Sequence, residues 1–286
     1  MRISVIVCTH NPRIDHLTRT LAGLHAQRLP MSDWELILVD NASSPPLGNP
    51  VAFSNSRVVR EPALGLVTAR LRGISEATGA LLVFVDDDNV LAPDYLEMAA
   101  NLAAQHPSVG AFGGQIDGEF EEPPSPWFAA RLDRLAIRQF SGETRSAKPD
   151  PDSAPCGAGL CVRASVARRY REVVLEDGRH VALGREGGKL FSGDDLDLAF
   201  TACDLGLEIA RFPALHLTHL IPRERLTLRY FARITRSHAR AHFALQALRP
   251  AMTHRAGSDL AARLALWKWG VIDAFFSIVP RRRPRR

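Results

Sequence analysis

Leu81-Leu82-Val83-Phe84-Val85-Asp86-Asp87-Asp88-Asn89 runs five apolar residues into three carboxylates and an amide. A short, continuous apolar run bounded by polar residues is the pattern of a strand buried on both faces. The acids then fall at its C-terminal end, the edge where open α/β sheets bind ligands. Three adjacent Asp side chains repel one another and suit a core badly. Two readings account for them. One is a hard divalent cation held between carboxylates and a phosphate. The other is a solvated acidic turn leading into the next helix.

The chain on either side repeats the strand-then-turn theme. Ile3 to Cys8 reads as a buried strand, broken by Thr9-His10-Asn11-Pro12. Leu17, Leu21 and Leu24 predict a helix over 17–29. Trp34 to Val39 is a second strand, ending in Asp40-Asn41-Ala42-Ser43, and Val58-Val59 is a short third. Helices follow over 65–78, closed by Gly79, and over 93–106, with Pro93 at a tolerated first-turn position. Strand–helix alternation over the first hundred residues predicts parallel strands joined by crossover helices. Parallel strands bring Thr9-His10-Asn11, Asp40-Asn41 and Asp86-Asp87-Asp88 to one sheet edge, although strand ends are also polar simply from lying at the surface.

The second half is less regular. The stretch 109–137 holds Gly113-Gly114 and the Pro-rich Glu121 to Phe128, and predicts a connection. The polar stretch 141–155 reads as mobile. Cys156 to Val162 reads as a tight turn followed by a strand; its glycines suit either a ligand's close approach or the turn itself. The stretch 178–193, with five glycines, reads as a loop able to move. Asp194, Asp195 and Asp197 open a helix, where acids suit the macrodipole, yet the pair is more acid than a cap needs. Glu208 to Phe212 is a strand and 214–219 another, ending in His219, a position where a lone histidine is more often structural than a ligand.

The charge excess of +5 is local, because five of the residues 281–286 are arginine. A near-neutral body excludes a nucleic-acid-binding surface by composition. Cys8, Cys156, Cys161 and Cys203 show neither zinc spacing nor a dense disulfide framework, which fits reduced thiols in the cytoplasm. The apolar run 3–8 is too short for a signal-peptide core, and no stretch reaches eighteen uncharged apolar residues. A helix over 225–248 is studded with Arg and His. The apolar, Trp-bearing stretch 260–279 precedes the arginines, and two readings stay open for 260–286. One is an interfacial anchor on the inner face of the cell membrane; the other is a helix packed on the domain or in a homo-oligomer interface.

Seven stretches, in order and spacing over about residues 1–225, resemble the family 2 glycosyltransferases of GT-A fold. They are Val5 to Asn11, Val39 to Ser43, Gly65 to Arg70, Phe84 to Asn89, Gly157-Ala158-Gly159, Gly193 to Leu198, and His219 ahead of Ile221-Pro222. The resemblance implies an α/β fold with a Rossmann-like, mostly parallel sheet flanked by helices and a helical C-terminal extension. The glycosyltransferase domain spans 1–225, with a nucleotide-binding half (1–107) and an acceptor half (108–225); the extension with its basic tail is 226–286. The implied reaction moves a sugar, with inversion and with Mn²⁺ or Mg²⁺, from a UDP- or dTDP-type donor. The acceptor is a saccharide or lipid-linked hydroxyl, in cell-surface polysaccharide or glycolipid synthesis.

By position, the resemblance makes Thr9, His10, Asn11, Asp40, Arg70, Asp86 and Asp87 the nucleotide site, with Asp40 accepting from the base. Asp86-Asp87-Asp88 matches the family's DxD motif, with Asp88 the main metal ligand and Asp86 and His219 further ligands. Asp195 takes the catalytic base position with Asp194 beside it, although the family more often carries Glu-Asp there. A nucleotidyltransferase is a second reading, weakened because Thr9-His10-Asn11-Pro12 is no Gly-rich basic phosphate loop. A non-catalytic nucleotide-sugar-binding protein at the membrane is a third, weakened by the intact Asp195 and Asp triplet.

Overall fold

The structure is a computed structural model describing residues 1–48, 53–253 and 257–278. The arginines of 281–286 and the side chains of Phe275, Phe276 and Ile278 lie outside the described residues. The first half alternates as expected: β1 (Ile3–Thr9), α1 (Ile14–His25), β2 (Trp34–Asn41), β3 (Ser56–Glu61), α2 (Leu66–Glu76), β4 (Leu81–Asp86), β5 (Asn89–Leu91) and α3 (Tyr95–Gln105). β1 lies parallel to β2 and β4, and β2 parallel to β3.

The apolar run of β4 is continuous because both sheet faces are covered. Leu81, Val83 and Val85 join one core with Leu17, Leu21 and Leu24 of α1 and Leu96 of α3. Leu82 and Phe84 join the opposite core with Val67, Ala69 and Ile74 of α2. Each such buried side chain contributes about 1.5–3 kcal/mol of transfer free energy.

The second half comprises β6 (Val109–Phe120), α4 (Pro126–Ala129), β7 (Thr144–Ser146), β8 (Leu160–Arg163), α5 (Ala164–Glu176), α6 (Asp194–Asp204), β9 (Glu208–Ile221), α7 (Leu228–Leu248) and α8 (Ser258–Ile278). The sheet order is β3-β2-β1-β4-β8-β6-β9-β5, with β7 also on β9. The long ladders are parallel, and the antiparallel joins at β8, β5 and β7 are short.

Here the sequence reading needs correction. The predicted connection from residue 109 is instead the twelve-residue β6, running parallel to a single continuous β9. The 141–155 stretch is tied down, by β7 on β9 and by the Thr253 N–H donating to the Pro149 carbonyl at 2.8 Å. α5 lies where the sequence reading assigns no element.

Gly114 explains why β6 is hard to read. It lies at a register shift against β9, and a Cβ there would stand 2.1 Å from the Leu215 carbonyl oxygen. The glycine serves close backbone approach at a bulge. Gly114→Ala is therefore expected to destabilise the fold by about 1–3 kcal/mol, measured as a lower urea midpoint at unchanged slope. An unchanged midpoint would show that β6 and β9 part more easily than their packing implies.

Candidate active site

Asp86 closes β4 and Asn89 opens β5, so Asp87 and Asp88 form the turn between them. The antiparallel register of β5 on β9 sets Asn89 opposite His219, and the Leu220 N–H donates to the Asp88 carbonyl at 2.8 Å. That pairing brings His219 to the acidic turn. The Asp88 Oδ2 lies 3.4 Å from His219 Nε2 and accepts from Arg225 Nη2 at 2.8 Å. Arg225 Nη1 also lies 2.9 Å from His219 Nε2, and His219 Nδ1 lies 3.1 Å from the Leu135 carbonyl. A carbonyl can only accept, so Nδ1 carries a proton, and Nε2 lies between Arg225 and Asp88. Burial works to raise the Asp88 carboxyl, but its contacts with His219 and Arg225 outweigh it and hold the group below the usual carboxylate range.

A carboxylate oxygen beside an imidazole nitrogen, with the other ring nitrogen fixed by a backbone carbonyl, is a donor set that fits Mn²⁺ or Mg²⁺. The Arg225 guanidinium bonds both donors, holding positive charge where such an ion would bind. Asp86 lines the same cavity but does not join them in a three-ligand cluster. Among the described residues, only Asp15, His16 and Glu121 gather three potential ligand atoms that closely, and Arg13 already bridges Asp15 and Glu121.

Thr9 Oγ1 donates to Asp87 Oδ2. Burial, then the neighbouring Asp88, pushes the Asp87 carboxyl from 3.8 up to about 7, against the Thr9 hydrogen bond. Folding thus favours protonated Asp87. Its stabilising contribution is full below the unfolded value and is lost as pH rises through about 7. His238 works on the acid side: burial, with Arg134 and Arg185 nearby, pushes its imidazole down to about 4. In EDTA, the Asp87 contribution to the melting temperature should decline from about pH 4 to about pH 7 and level off above it, and Asp87→Asn should flatten that decline in calorimetry. An equally steep fall in the variant would assign the dependence to other groups.

The second acidic pair sits in the first turn of α6. Asp194 is buried and ion-paired to Arg70 of α2, itself buried. Burial and the adjacent Asp195 push the Asp194 carboxyl up to about 6, with Arg70 opposing. Asp195 is half-buried; its Oδ2 accepts from the Gly157 N–H at 3.0 Å and its Oδ1 from the Leu196 N–H at 2.9 Å. The glycines at 157–159 serve close approach within the protein. A Cβ on Gly157 would stand 3.0 Å from Asp195 Cβ and from Arg70 Nη2, and one on Gly159 2.4 Å from the Tyr95 hydroxyl.

A cavity of about 320 Å³ is lined by Thr9, His10, Arg70, Asp86, Asp87, Asp88, Asp194, Asp195 and His219. Asn11 and Asp40 do not line it. Asp40 is buried, and its carboxylate accepts from the Ser43 and Leu47 N–H groups and from Arg60, so it holds the turn that follows β2. Asn11 braces the same turn, accepting from the Ser44 N–H at 2.8 Å while its own N–H donates to Ser43 Oγ. A second cavity of about 480 Å³ runs along α7 and α8 and shares Asp195, Arg134, Arg138 and His238 with the first.

Sequence reasoning missed Arg225, Arg185 and His238. For Arg225 and His238 the one signal was the density of Arg and His entering α7, which says nothing about where they point; Arg185 stands in the Gly-rich stretch 178–193. The Gly-rich loop is held more firmly than expected: the Leu66 N–H donates to the Arg185 carbonyl, and Ser237 of α7 donates to that of Leu190.

The sheet edge thus carries a carboxylate–histidine pair at one strand end, and a second carboxylate, Asp195, lies in the wall of both cavities. The chain belongs to glycosyl transferase family 2, whose family model matches residues 4–168. Over 213 residues it is 25% identical to the glycosyltransferase AglE of Haloferax volcanii, covering 72% of this chain and 63% of that protein. Over 157 residues it is 26% identical to EpsH of Bacillus subtilis, covering 49% of this chain and 45% of that protein. The chain thus spans less than two thirds of either relative. A crystal structure of S. aureus TarS 1-349 superposes with a TM-score of 0.53 at 17% identity, covering 97% of this chain and 72% of that one. The shared fold is GT-A. Other TarS structures are complexes with UDP and with UDP-GlcNAc.

Proposed function

We propose that the chain is a metal-dependent, inverting glycosyltransferase. It moves a sugar from a UDP- or dTDP-type donor to a hydroxyl of a saccharide or lipid-linked acceptor, in cell-surface polysaccharide or glycolipid synthesis. The observation that carries this reading is Asp195 in the wall common to both cavities, one of which also holds the Asp triplet. The donor binds in the first cavity with its diphosphate near Asp88. The acceptor hydroxyl enters from the second, and Asp195 takes its proton as the new C–O bond forms and the bond to the diphosphate breaks. Asp194, engaged by Arg70, keeps the first turn of α6 in position. Asp88 and His219 would hold a divalent cation, which would supply positive charge for the leaving diphosphate. Arg185 and Arg225, both lining the donor cavity, add fixed positive charge there.

UDP is the first nucleotide to test, because the TarS complexes hold UDP and UDP-GlcNAc. Binding of UDP, dTDP and GDP with and without Mn²⁺, followed by sugar-nucleotide turnover, tests the class. Asp88→Asn should raise the UDP dissociation constant in Mn²⁺ by about tenfold or more, or at least ~1.4 kcal/mol. Equal affinity with and without Mn²⁺ in both proteins would remove the metal assignment while leaving the transferase reading standing.

A further inference from the structure

α8 is apolar on two opposite faces. One is packed: Ala262 is buried, and the Trp269 ring lies 5.1 Å from that of Phe231 on α7 and 6.2 Å from Trp127. The other carries Leu260, Leu264, Trp267 and Val271, which are 61%, 55%, 73% and 62% exposed. Spacings of four, three and four residues align them in one stripe along the helix. In the sequence the same spacing reaches Phe275 and Ile278. At 3.6 residues per turn, Arg263 falls about 70° to one side of the stripe and Lys268 about 70° to the other, and both are exposed. Asp259 is turned further away, against His242 and Gln246 of α7.

The charges decide what covers this face. If a second copy packed stripe to stripe, Arg263 and Lys268 would flank the seam. They would meet each other in a parallel pair and themselves in an antiparallel one, like charges in both cases. An anionic bilayer instead takes the apolar stripe among its headgroups and meets both cations with phosphates. Five arginines follow at 281–286. No helix among the described residues is long and apolar enough to cross a membrane, which leaves an orientation in the membrane plane. We infer that α8 docks this chain on an anionic lipid surface through Leu260, Leu264, Trp267 and Val271, with Arg263 and Lys268 on the headgroups. Ala262 and Ala265 of the same helix line the second cavity, so docking brings membrane-borne acceptors within reach of Asp195.

The test reads lipid binding without turnover, so it stands apart from the sugar-transfer reading. The full chain is sedimented with phosphatidylcholine vesicles, with and without about 30% phosphatidylglycerol. Binding should be at least ~10-fold stronger to the anionic vesicles in about 0.1 M NaCl and mostly lost in about 0.5 M. Leu264→Glu with Trp267→Glu should cost ~10-fold or more, and Arg263→Gln or Lys268→Gln roughly fivefold each. All four positions are exposed, so melting temperatures should match the wild type. Equal binding to neutral vesicles would overturn the inference, as would wild-type binding by the stripe variant. So would a dimer in sedimentation velocity that the stripe variant dissolves, which would make the face a self-interface.

Discussion

Asp195→Asn is expected to lower kcat by about 100- to 10,000-fold, the range a positioned general base supplies, while UDP affinity stays within about threefold. The geometry explains the separation. Asp195 faces the cavity it shares with α7 and α8, and both its oxygens accept backbone N–H groups, from Gly157 and Leu196. Asparagine keeps the shape and one acceptor, so the Gly157 turn and the first turn of α6 should persist. What disappears is the basic oxygen for the acceptor proton. Asp194 cannot substitute, because it is buried against Arg70. Stopped-assay turnover of a sugar nucleotide, beside calorimetric UDP titration, checks both halves. A kcat within about tenfold of wild type would remove Asp195 from the base role, and lost UDP binding would make it a structural residue.

The parts of this site that sequence reveals are those set by short-range rules. Leu81 to Val85 had to be a doubly covered strand, so Asp86, Asp87 and Asp88 had to lie at its end, and β4 bears that out. Asp40 was equally visible as a strand-end acid. Its carboxylate, however, is taken up by the N–H groups of Ser43 and Leu47, a local demand that no periodicity displays. Arg225 was invisible for the opposite reason. Its contact with Asp88 depends on the β5–β9 register and on the turn after β9, both long-range outcomes. β6 was hidden because its two glycines answer long-range neighbours, Gly113 the closeness of Pro155 and Gly114 that of Leu215 on β9. The acids of α6 looked alike in sequence, yet burial divides them among an ion pair, a cavity wall and a structural hub.

That hub gives the largest expected effect on stability. Asp197 is fully buried; it is bound by His180 Nδ1 at 2.6 Å and by Arg249 Nε at 2.7 Å, and Arg249 also reaches Asp204 and Thr201. Arg249 caps the C-terminal end of α7, so this network ties the C-terminal helices to the helix bearing Asp195. Arg249→Met removes one partner and leaves a buried carboxylate with a single histidine, a change that costs about 3–5 kcal/mol. At this chain length the melting temperature should fall by roughly 6–20 °C. Replacing both partners, with Asp197→Leu added, should recover part of the loss, because an apolar pair leaves no unpaired charge. Urea denaturation of both single variants and the double closes the cycle. A cost below about 1 kcal/mol for Arg249→Met would mean that α7 is held by its apolar face alone. A double variant no better than the sum of the singles would mean that the two charges do not interact. α7 also carries His238 into both cavities, so loosening it should raise KM for donor and acceptor more than it lowers kcat. Asp195→Asn should give the opposite split, which separates a residue that holds the cavity wall from one that takes the proton.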